Sequence, residues 1–303
     1  MDHKKVRIGS RDSLLAVRQS ELVMEKIQTI SPKTELELVT MKTTGDRILS
    51  QSLDKIGGKG LFVKELDLAL MEGRSDLSVH SLKDMPMEVS ETLPILAYSP
   101  REDKRDVLIL RSGLQSLPEH PVIGTGSRRR TIQAEKLYPF ATFKGIRGNI
   151  HTRLKKLDSG EYDALILAAA GIIRMKLENR ISRYFSVEEI IPPAGQGILA
   201  IQGKRGTAFS FLPKLNSLES EVMAKAERSF VKTLNGGCSS PVAACANLES
   251  GKLTLRGLYY EEESGQTLIG TEEGSWEEAE ELGRRLAVRL RDIVRQKMGQ
   301  EKK

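Results

Sequence analysis

The chain has 303 residues, 39% of them hydrophobic and 29% charged, with mean hydropathy −0.32, a length that allows about two domains and leaves room for a third. This composition excludes disordered, collagen-like and disulfide-scaffold classes, and no apolar run approaches the ~18 residues of a membrane span. Lys and Arg exceed Asp and Glu by 47 to 41, and the net +6 is local: residues 121–160 hold nine basic and two acidic residues, while 261–283 hold nine Glu and no base.

In chain order, residues 10–30 are expected to form a helix with Leu15, Leu22, Val23, Ile27 and Ile30 on one face and Gln19 as the exception, ended by Ser31-Pro32. Residues 36–41 alternate like a strand. Gly57-Gly58-Lys59-Gly60 is a turn opening a helix with Phe62, Leu66, Ala69 and Leu70, closed by Gly73. A strand at 77–79 runs into the polar loop His80-Ser81-Leu82-Lys83-Asp84. The middle alternates: strand 122–123, helix 128–137 capped by Ser127, strand 141–143, helix 150–157 capped by Asn149, and the wholly apolar strand 164–167. Such alternation predicts a parallel sheet covered on both faces. A helix at 219–234, short strands near 242–246, 252–260 and 266–269, and a last helix at 276–298 read as a separate α+β unit from about residue 216. There is no internal repeat.

Gly124-Thr125-Gly126-Ser127 followed by Arg128, Arg129 and Arg130 places three cations at a helix start. That is unfavourable to the helix dipole unless an anion sits among them. Arg147-Gly148-Asn149, with Arg153 one turn on, repeats the arrangement after the next strand. Two such junctions would face one crevice at the strands' carboxyl ends, suited to a ligand with several carboxylates or phosphates. Gly57-Gly58-Lys59-Gly60 is no Walker loop, because Leu53 and Gly60 stand where that pattern needs Gly and Ser/Thr. Asp84, in a loop after a strand and next to Lys83, could stabilise a cationic intermediate. Cys238 on a glycine-rich loop is a candidate nucleophile or attachment point, whereas Cys245 among alanines reads as core. Two cysteines make no disulfide framework, and with four scattered histidines they match no zinc spacing, so no metal is expected. No apolar core follows the N-terminal charges. Secretion is therefore not expected, and a reducing, cytoplasmic compartment is.

Together and in this order, these motifs resemble the porphobilinogen deaminase (hydroxymethylbilane synthase) family. The resemblance rests on Ile8-Gly9-Ser10-Arg11-Asp12-Ser13, Thr44-Gly45-Asp46, residues 55–65 and 79–86, Arg101-Glu102-Asp103-Lys104-Arg105-Asp106, the two arginine junctions, Pro193-Ala194-Gly195-Gln196-Gly197, Ala226-Glu227-Arg228-Ser229-Phe230 and Asn235-Gly236-Gly237-Cys238. It implies an α/β fold of three domains, two periplasmic-binding-protein-like domains around a cleft plus a C-terminal α+β domain. The limits would be 1–98 with 196–215, 99–195, and 216–303.

It also implies the activity. Four porphobilinogen molecules are condensed head to tail, with release of ammonia, on a dipyrromethane cofactor held by a thioether to Cys238, and linear hydroxymethylbilane is then released. Asp84 would be the catalytic aspartate, contacting pyrrole nitrogens, assisting ammonia loss and stabilising an azafulvene-like cation. Ser81, Lys83, Asp84, Ser127, Arg129, Arg130 and Gly148 would hold the cofactor. Arg11, Ser13, Phe62, Arg147, Arg153, Arg174 and Gln196 would hold the substrate, and Lys55 and Lys59 would lie on a mobile loop over the cleft. The acetate and propionate groups of a growing chain account for the basic window.

The resemblance further implies a monomer acting on a small molecule, with no nucleic-acid or membrane partner. Arg128 stands where a leucine is common, Asn235 replaces a usual acid, Gln202-Gly203 replaces a common Glu-Cys pair, and Ser239-Ser240 is less familiar. Two other classes compete. A solute-binding protein would release its ligand unchanged, and Asp84, the Gly-Gly-Cys loop and the missing signal peptide speak against it. A nucleic-acid binder is disfavoured by 5% aromatic content and the lack of a binding module.

Overall fold

The computed structural model describes residues 5–43, 63–236 and 241–301, the last five by backbone only. It opens on a strand, β1 (Val6–Arg11), where the apolar periodicity had extended the first helix back to residue 10. Val6 and Ile8 are buried at strand spacing, and helix α1 (Leu14–Ile30) begins only where Ser13 Oγ accepts the Ala16 N–H at 3.4 Å. Gln19, the polar exception on the apolar face of α1, is buried because its amide hydrogen-bonds Ser81 Oγ at 3.0 Å.

The first sheet has the order β2-β1-β3-β10-β4, with β2 (Leu36–Met41), β3 (Leu77–Ser81), β4 (Ile95–Tyr98) and β10 (Leu199–Gly203). The second has the order β7-β6-β8-β5-β9, with β5 (Asp106–Leu110), β6 (Val122–Gly124), β7 (Thr142–Lys144), β8 (Ala164–Ala168) and β9 (Arg183–Tyr184). Both sheets are mixed, not wholly parallel. In each, three parallel strands are followed by an antiparallel strand and then an edge strand. The fourth strand of each sheet comes from across the molecule: β5 follows one crossover segment, and β10 follows the other.

Helices α1, α2 (Lys64–Met71), α3 (Arg128–Ala134), α4 (Ile150–Lys156) and α5 (Ala169–Arg174) accompany these strands. Asn149 caps α4 as expected, its side chain accepting the Thr152 N–H at 2.9 Å. Ser127 makes no side-chain cap at α3.

After the short α6 (Leu212–Leu215), a third unit stacks α7 (Leu218–Thr233) and α8 (Ala279–Glu301) on the antiparallel meander β11 (Ala243–Glu249), β12 (Lys252–Tyr260) and β13 (Thr267–Ser275). Phe230, Leu253, Leu255, Leu282 and Leu286 form its buried core. The molecule is thus a three-domain α/β protein with two sheet domains and a C-terminal α+β domain.

The crossover segments touch each other where the Glu102 N–H donates to Gly197 O at 3.1 Å and Arg101 Nε donates to Gln196 O at 2.9 Å. Gly197 has φ +92°, and a Cβ there would collide with the Glu102 carbonyl oxygen. Gly197→Ala is therefore expected to destabilise by more than about 1 kcal/mol, read as a lower thermal midpoint. An unchanged midpoint would show that the crossover adapts.

Candidate active site

The polar loop after β3 projects from the strand's carboxyl end, where α/β sheets bind ligands. Its single helical turn, Leu82–Asp84, carries Lys83 and Asp84, and its neighbours hold it firmly. The Leu82 N–H donates to Ile198 O at 3.0 Å, and Leu82 itself is fully buried. Gly195 makes room for it, since a Cβ there would lie 2.7 Å from Leu82 Cγ. On the far side Arg228 of α7 donates to Pro86 O, and to Met87 O at 3.1 Å.

Asp84 and Lys83 face a cavity of about 150 Å³ at the meeting of all three domains. Ser127, Arg129 and Arg130 enter from the β6–α3 junction, Pro193, Ala194 and Gln196 from the second crossover, and Val231 and Val242 from the third domain. Arg153 of α4 lies where it feels the charges of Arg130, Arg147 and Asp84. Burial is the main cause that brings its guanidinium down to about 10. The two basic junctions do follow neighbouring parallel strands, β6 and β7.

The anion expected among the arginines is supplied by the protein. Arg129 Nη2 and Arg130 Nη2 each lie 2.8 Å from the fully buried Asp106 carboxylate. Burial works against that carboxylate, but the two guanidiniums outweigh it and hold the group well below the usual carboxylate range. Arg128 turns away, pairing with Glu262 at 2.5 Å and lying over the Tyr260 ring at 5.1 Å. Both partners are exposed, so the pair contributes little energy and ties the second sheet to the third domain.

Lys83 Nζ donates to Gln196 Oε1 at 3.2 Å. Burial lowers its ammonium to about 8, with Asp84 pulling upward, Arg130 downward, Asp106 upward and Arg129 downward. Among the other expected site residues, Ser81 bonds Gln19, and Arg174 Nη2 donates to Gly197 O at 2.5 Å. Burial brings the Arg174 guanidinium down to about 10. Gly148, at φ +112°, accepts from Arg153 Nε at 2.8 Å, and Ser13 serves as the cap of α1. Arg11 ends β1, and its charge reaches buried His80. Lys55, Lys59, Phe62 and Cys238 lie outside the described residues. Cys245, read as core, is buried.

Among the departures from the family pattern, Asn235 and Gln202 have local reasons, and Ser239-Ser240 lies outside the described residues. Asn235 follows α7 at φ +54°, a left-handed position that Asn tolerates better than most residues. Gln202 is buried, with Oε1 3.0 Å from His80 Nε2 and Nε2 donating to Leu93 O at 2.9 Å.

Sequence reasoning assigned no role to Asp106, Arg101 or Glu227, although all three lie in the motifs that carried the resemblance. Glu227 of α7 is fully buried and accepts from Arg101 Nη1 at 2.6 Å and from the backbone N–H groups of Gly195 and Ala246, both at 2.7 Å. One carboxylate thus joins both crossover segments to the third domain.

A model of the porphobilinogen deaminase dipyromethane cofactor binding domain matches residues 6–209, and one of the porphobilinogen deaminase C-terminal domain matches 222–292. The porphobilinogen deaminase of Ruminiclostridium cellulolyticum is 52% identical over 292 residues, 96% of this chain and 99% of that one. That of Neisseria meningitidis serogroup B is 42% identical over 296 residues, 96% of this chain and 95% of that one. Among solved structures, the periplasmic aliphatic sulphonate binding protein SsuA from Escherichia coli has a TM-score of 0.41 at 11% identity, over 76% of this chain and 70% of that one. Two matched domain models and identities held over nearly the whole length establish that the chain belongs to the porphobilinogen deaminase family.

Proposed function

We propose that the cavity between the three domains is the centre at which this chain condenses porphobilinogen, with Asp84 as its catalytic group and Cys238 as the cofactor's point of attachment. The activity class follows from family membership: a transferase of tetrapyrrole biosynthesis with a dipyrromethane cofactor binding domain. The observation that carries the reading is the convergence of Asp84, Lys83, Arg129, Arg130 and Gln196 on one cavity whose third-domain wall is Val231 and Val242. Gly236, just past the end of α7, is two residues before Cys238 in the sequence, and Val242 is four residues after it.

The donor set fits the cofactor. Lys83, Arg129 and Arg130 outnumber Asp84 and Asp106 by one charge before Arg153 is counted, as pyrroles bearing carboxylates require. Lys83, Ser127, Arg129 and Arg130 would hold its side chains. When bound, dipyrromethane supplies the pyrrole carbon to which each unit is added.

Asp84 accepts pyrrole N–H groups beside the substrate's aminomethyl group, which carries its own proton as an ammonium, so the C–N bond breaks with the electron pair leaving on ammonia. Its carboxylate then faces the positive charge developing on the substrate. Arg11, Ser13, Phe62, Arg147, Arg153, Arg174 and Gln196 are read as the substrate's holders, with Lys55 and Lys59 over the cleft. We take the domain limits as 1–98 with 196–215, 99–195, and 216–303. Among the described residues no helix is long and apolar enough to cross a membrane. A monomer in the cytoplasm with no nucleic-acid or membrane partner completes the proposal.

The test is turnover of porphobilinogen, read as hydroxymethylbilane and ammonia formed. Wild-type chain is expected to yield both, and Cys238→Ala neither. Full turnover by Cys238→Ala would overturn the attachment. A pH dependence follows as well. Lys83 loses its proton as pH rises past about 8, so kcat/KM, which reports the free enzyme, falls on that side. Lys83→Arg, which keeps its charge, moves this limb to higher pH. A wild-type profile flat through pH 8 would remove Lys83 from anion binding.

A further inference from the structure

Asp106 does not line the cavity, yet four of the cavity's polar side chains are tied to it directly or through one intermediary. It is the first residue of β5, fully buried, with its backbone paired opposite Ala168 of β8. Oδ2 accepts from Arg129 Nη2 at 2.8 Å. Oδ1 accepts from Arg130 Nη2 at 2.8 Å and from Gln196 Nε2 at 3.0 Å. Each guanidinium is held at a second point as well, Arg129 Nη1 by Ile191 O at 2.6 Å and Arg130 Nη1 by Ile166 O at 3.1 Å. Neither arginine can swing without breaking two charge-assisted or carbonyl hydrogen bonds.

Gln196 extends the arrangement. Its Nε2 donates to Lys104 O at 2.8 Å as well as to Asp106, so the amide has only one acceptable orientation. The reverse would set its oxygen against a carboxylate and a carbonyl. Its Oε1 is thereby aimed at Lys83, whose Nζ donates to it at 3.2 Å.

We propose that Asp106 is a positioning residue that fixes the cavity's cationic wall before any ligand arrives, locking Arg129 and Arg130 directly and orienting Lys83 through Gln196. This rests on the reading of the cavity as the catalytic centre. Four charged groups surround the Lys83 ammonium: Asp84, Arg130, Asp106 and Arg129. Without a shared counter-ion the three cations would repel one another, and a polyanion would have to order them as it bound.

Charge alone and positioning predict opposite signs. Asp106→Asn makes the wall one unit more positive, so if Asp106 only dilutes the positive field, a polyanionic chain binds better and turnover is kept or raised. If Asp106 positions, Asp106→Asn lowers kcat by about 100-fold, the cost of misplacing groups by about an ångström. Its alkaline limb of kcat/KM also moves to lower pH, because Lys83 has lost an anion that favours its proton.

The experiment is the pH profile of porphobilinogen turnover by full-length holoenzyme in wild type, Asp106→Asn, Gln196→Met and the double variant. Gln196→Met leaves the Asp106–arginine pairs in place and breaks the relay, together with the amide's bond to Lys104 O and its contact with substrate, a loss read in KM rather than in the position of the limb. It is expected to shift the limb in the same direction with a smaller loss of kcat, and the double variant should shift it no further than Asp106→Asn. A merely structural role would lower the thermal midpoint of both variants and leave the limb of Gln196→Met, which keeps the Asp106 charge, where it is. Unchanged or raised kcat in folded Asp106→Asn overturns the proposal. If that variant does not fold, Gln196→Met decides, and an unmoved limb overturns it. Failure of the underlying reading shows differently, as wild-type chain that consumes no porphobilinogen.

Discussion

Asp84→Asn is expected to leave the fold unchanged and to lower turnover by about 1,000-fold. The side chain differs by one atom type, and the loop that carries it is held by its neighbours. Leu82 is buried and bonded to Ile198 O, and Arg228 grips the carbonyls of Pro86 and Met87. An amide can still accept a pyrrole N–H, but it carries no negative charge to oppose the positive charge that develops as ammonia departs. It also leaves Lys83 and Arg153 without the carboxylate that favours their charged forms. The measurement is ammonia release from porphobilinogen beside the circular dichroism and thermal midpoint of the same preparation. Turnover within about tenfold of wild type would remove Asp84 from the chemistry, because a merely polar wall residue loses no more than that.

The second large effect is on stability. Glu227→Ala leaves Arg101, a side chain only 6% exposed, as an uncompensated buried charge, at a cost of roughly 3–5 kcal/mol. The backbone N–H groups of Gly195 and Ala246 lose their acceptor at the same time. The thermal midpoint is expected to fall by on the order of 10 °C. Because this carboxylate ties both crossovers to the third domain, the loss should spread to the cavity, whose wall includes Ala194 and Gln196 beside Gly195. Glu227→Gln, which keeps acceptors for the backbone donors, should lose less. A midpoint within a degree or two of wild type for Glu227→Ala would show that water or another group compensates Arg101.

What was legible in the sequence was local. Strand β12, helices α4 and α7, and the cap at Asn149 emerge from periodicity and turn chemistry within one turn or strand. Strand β1 was hidden because Gly9-Ser10 lies against a helical pattern that fits either state, and only pairing with β2 and β3 decides it. The mixed sense of both sheets was hidden for a related reason. An apolar strand such as β8 reads alike in either direction, and β5 and β10 reach their places only by crossing between sheets.

The cationic residues of the cavity were likewise visible as a charge pattern, and their convergence with Lys83 and Asp84 follows from the carboxyl ends of β3 and β6. Their counter-ion was not. Asp106 is 23 and 24 positions from Arg129 and Arg130 and joins them only after β5 has entered the second sheet, so no spacing rule could reveal it. Arg128, alike in sequence to its two neighbours, faces Glu262 instead, a difference of side-chain direction around one helical turn.

The central claim is that a pyrrolic group is carried on Cys238 and reacts in a cavity lined by Asp84. Intact-protein mass spectrometry of the purified chain, with peptide mapping across residues 235–242, tests it most directly. The account predicts an added mass of two deaminated porphobilinogen units, located on Cys238 and present after incubation with porphobilinogen if absent before. An unmodified Cys238 after that incubation, or an adduct on Cys245 or any other residue, would contradict it.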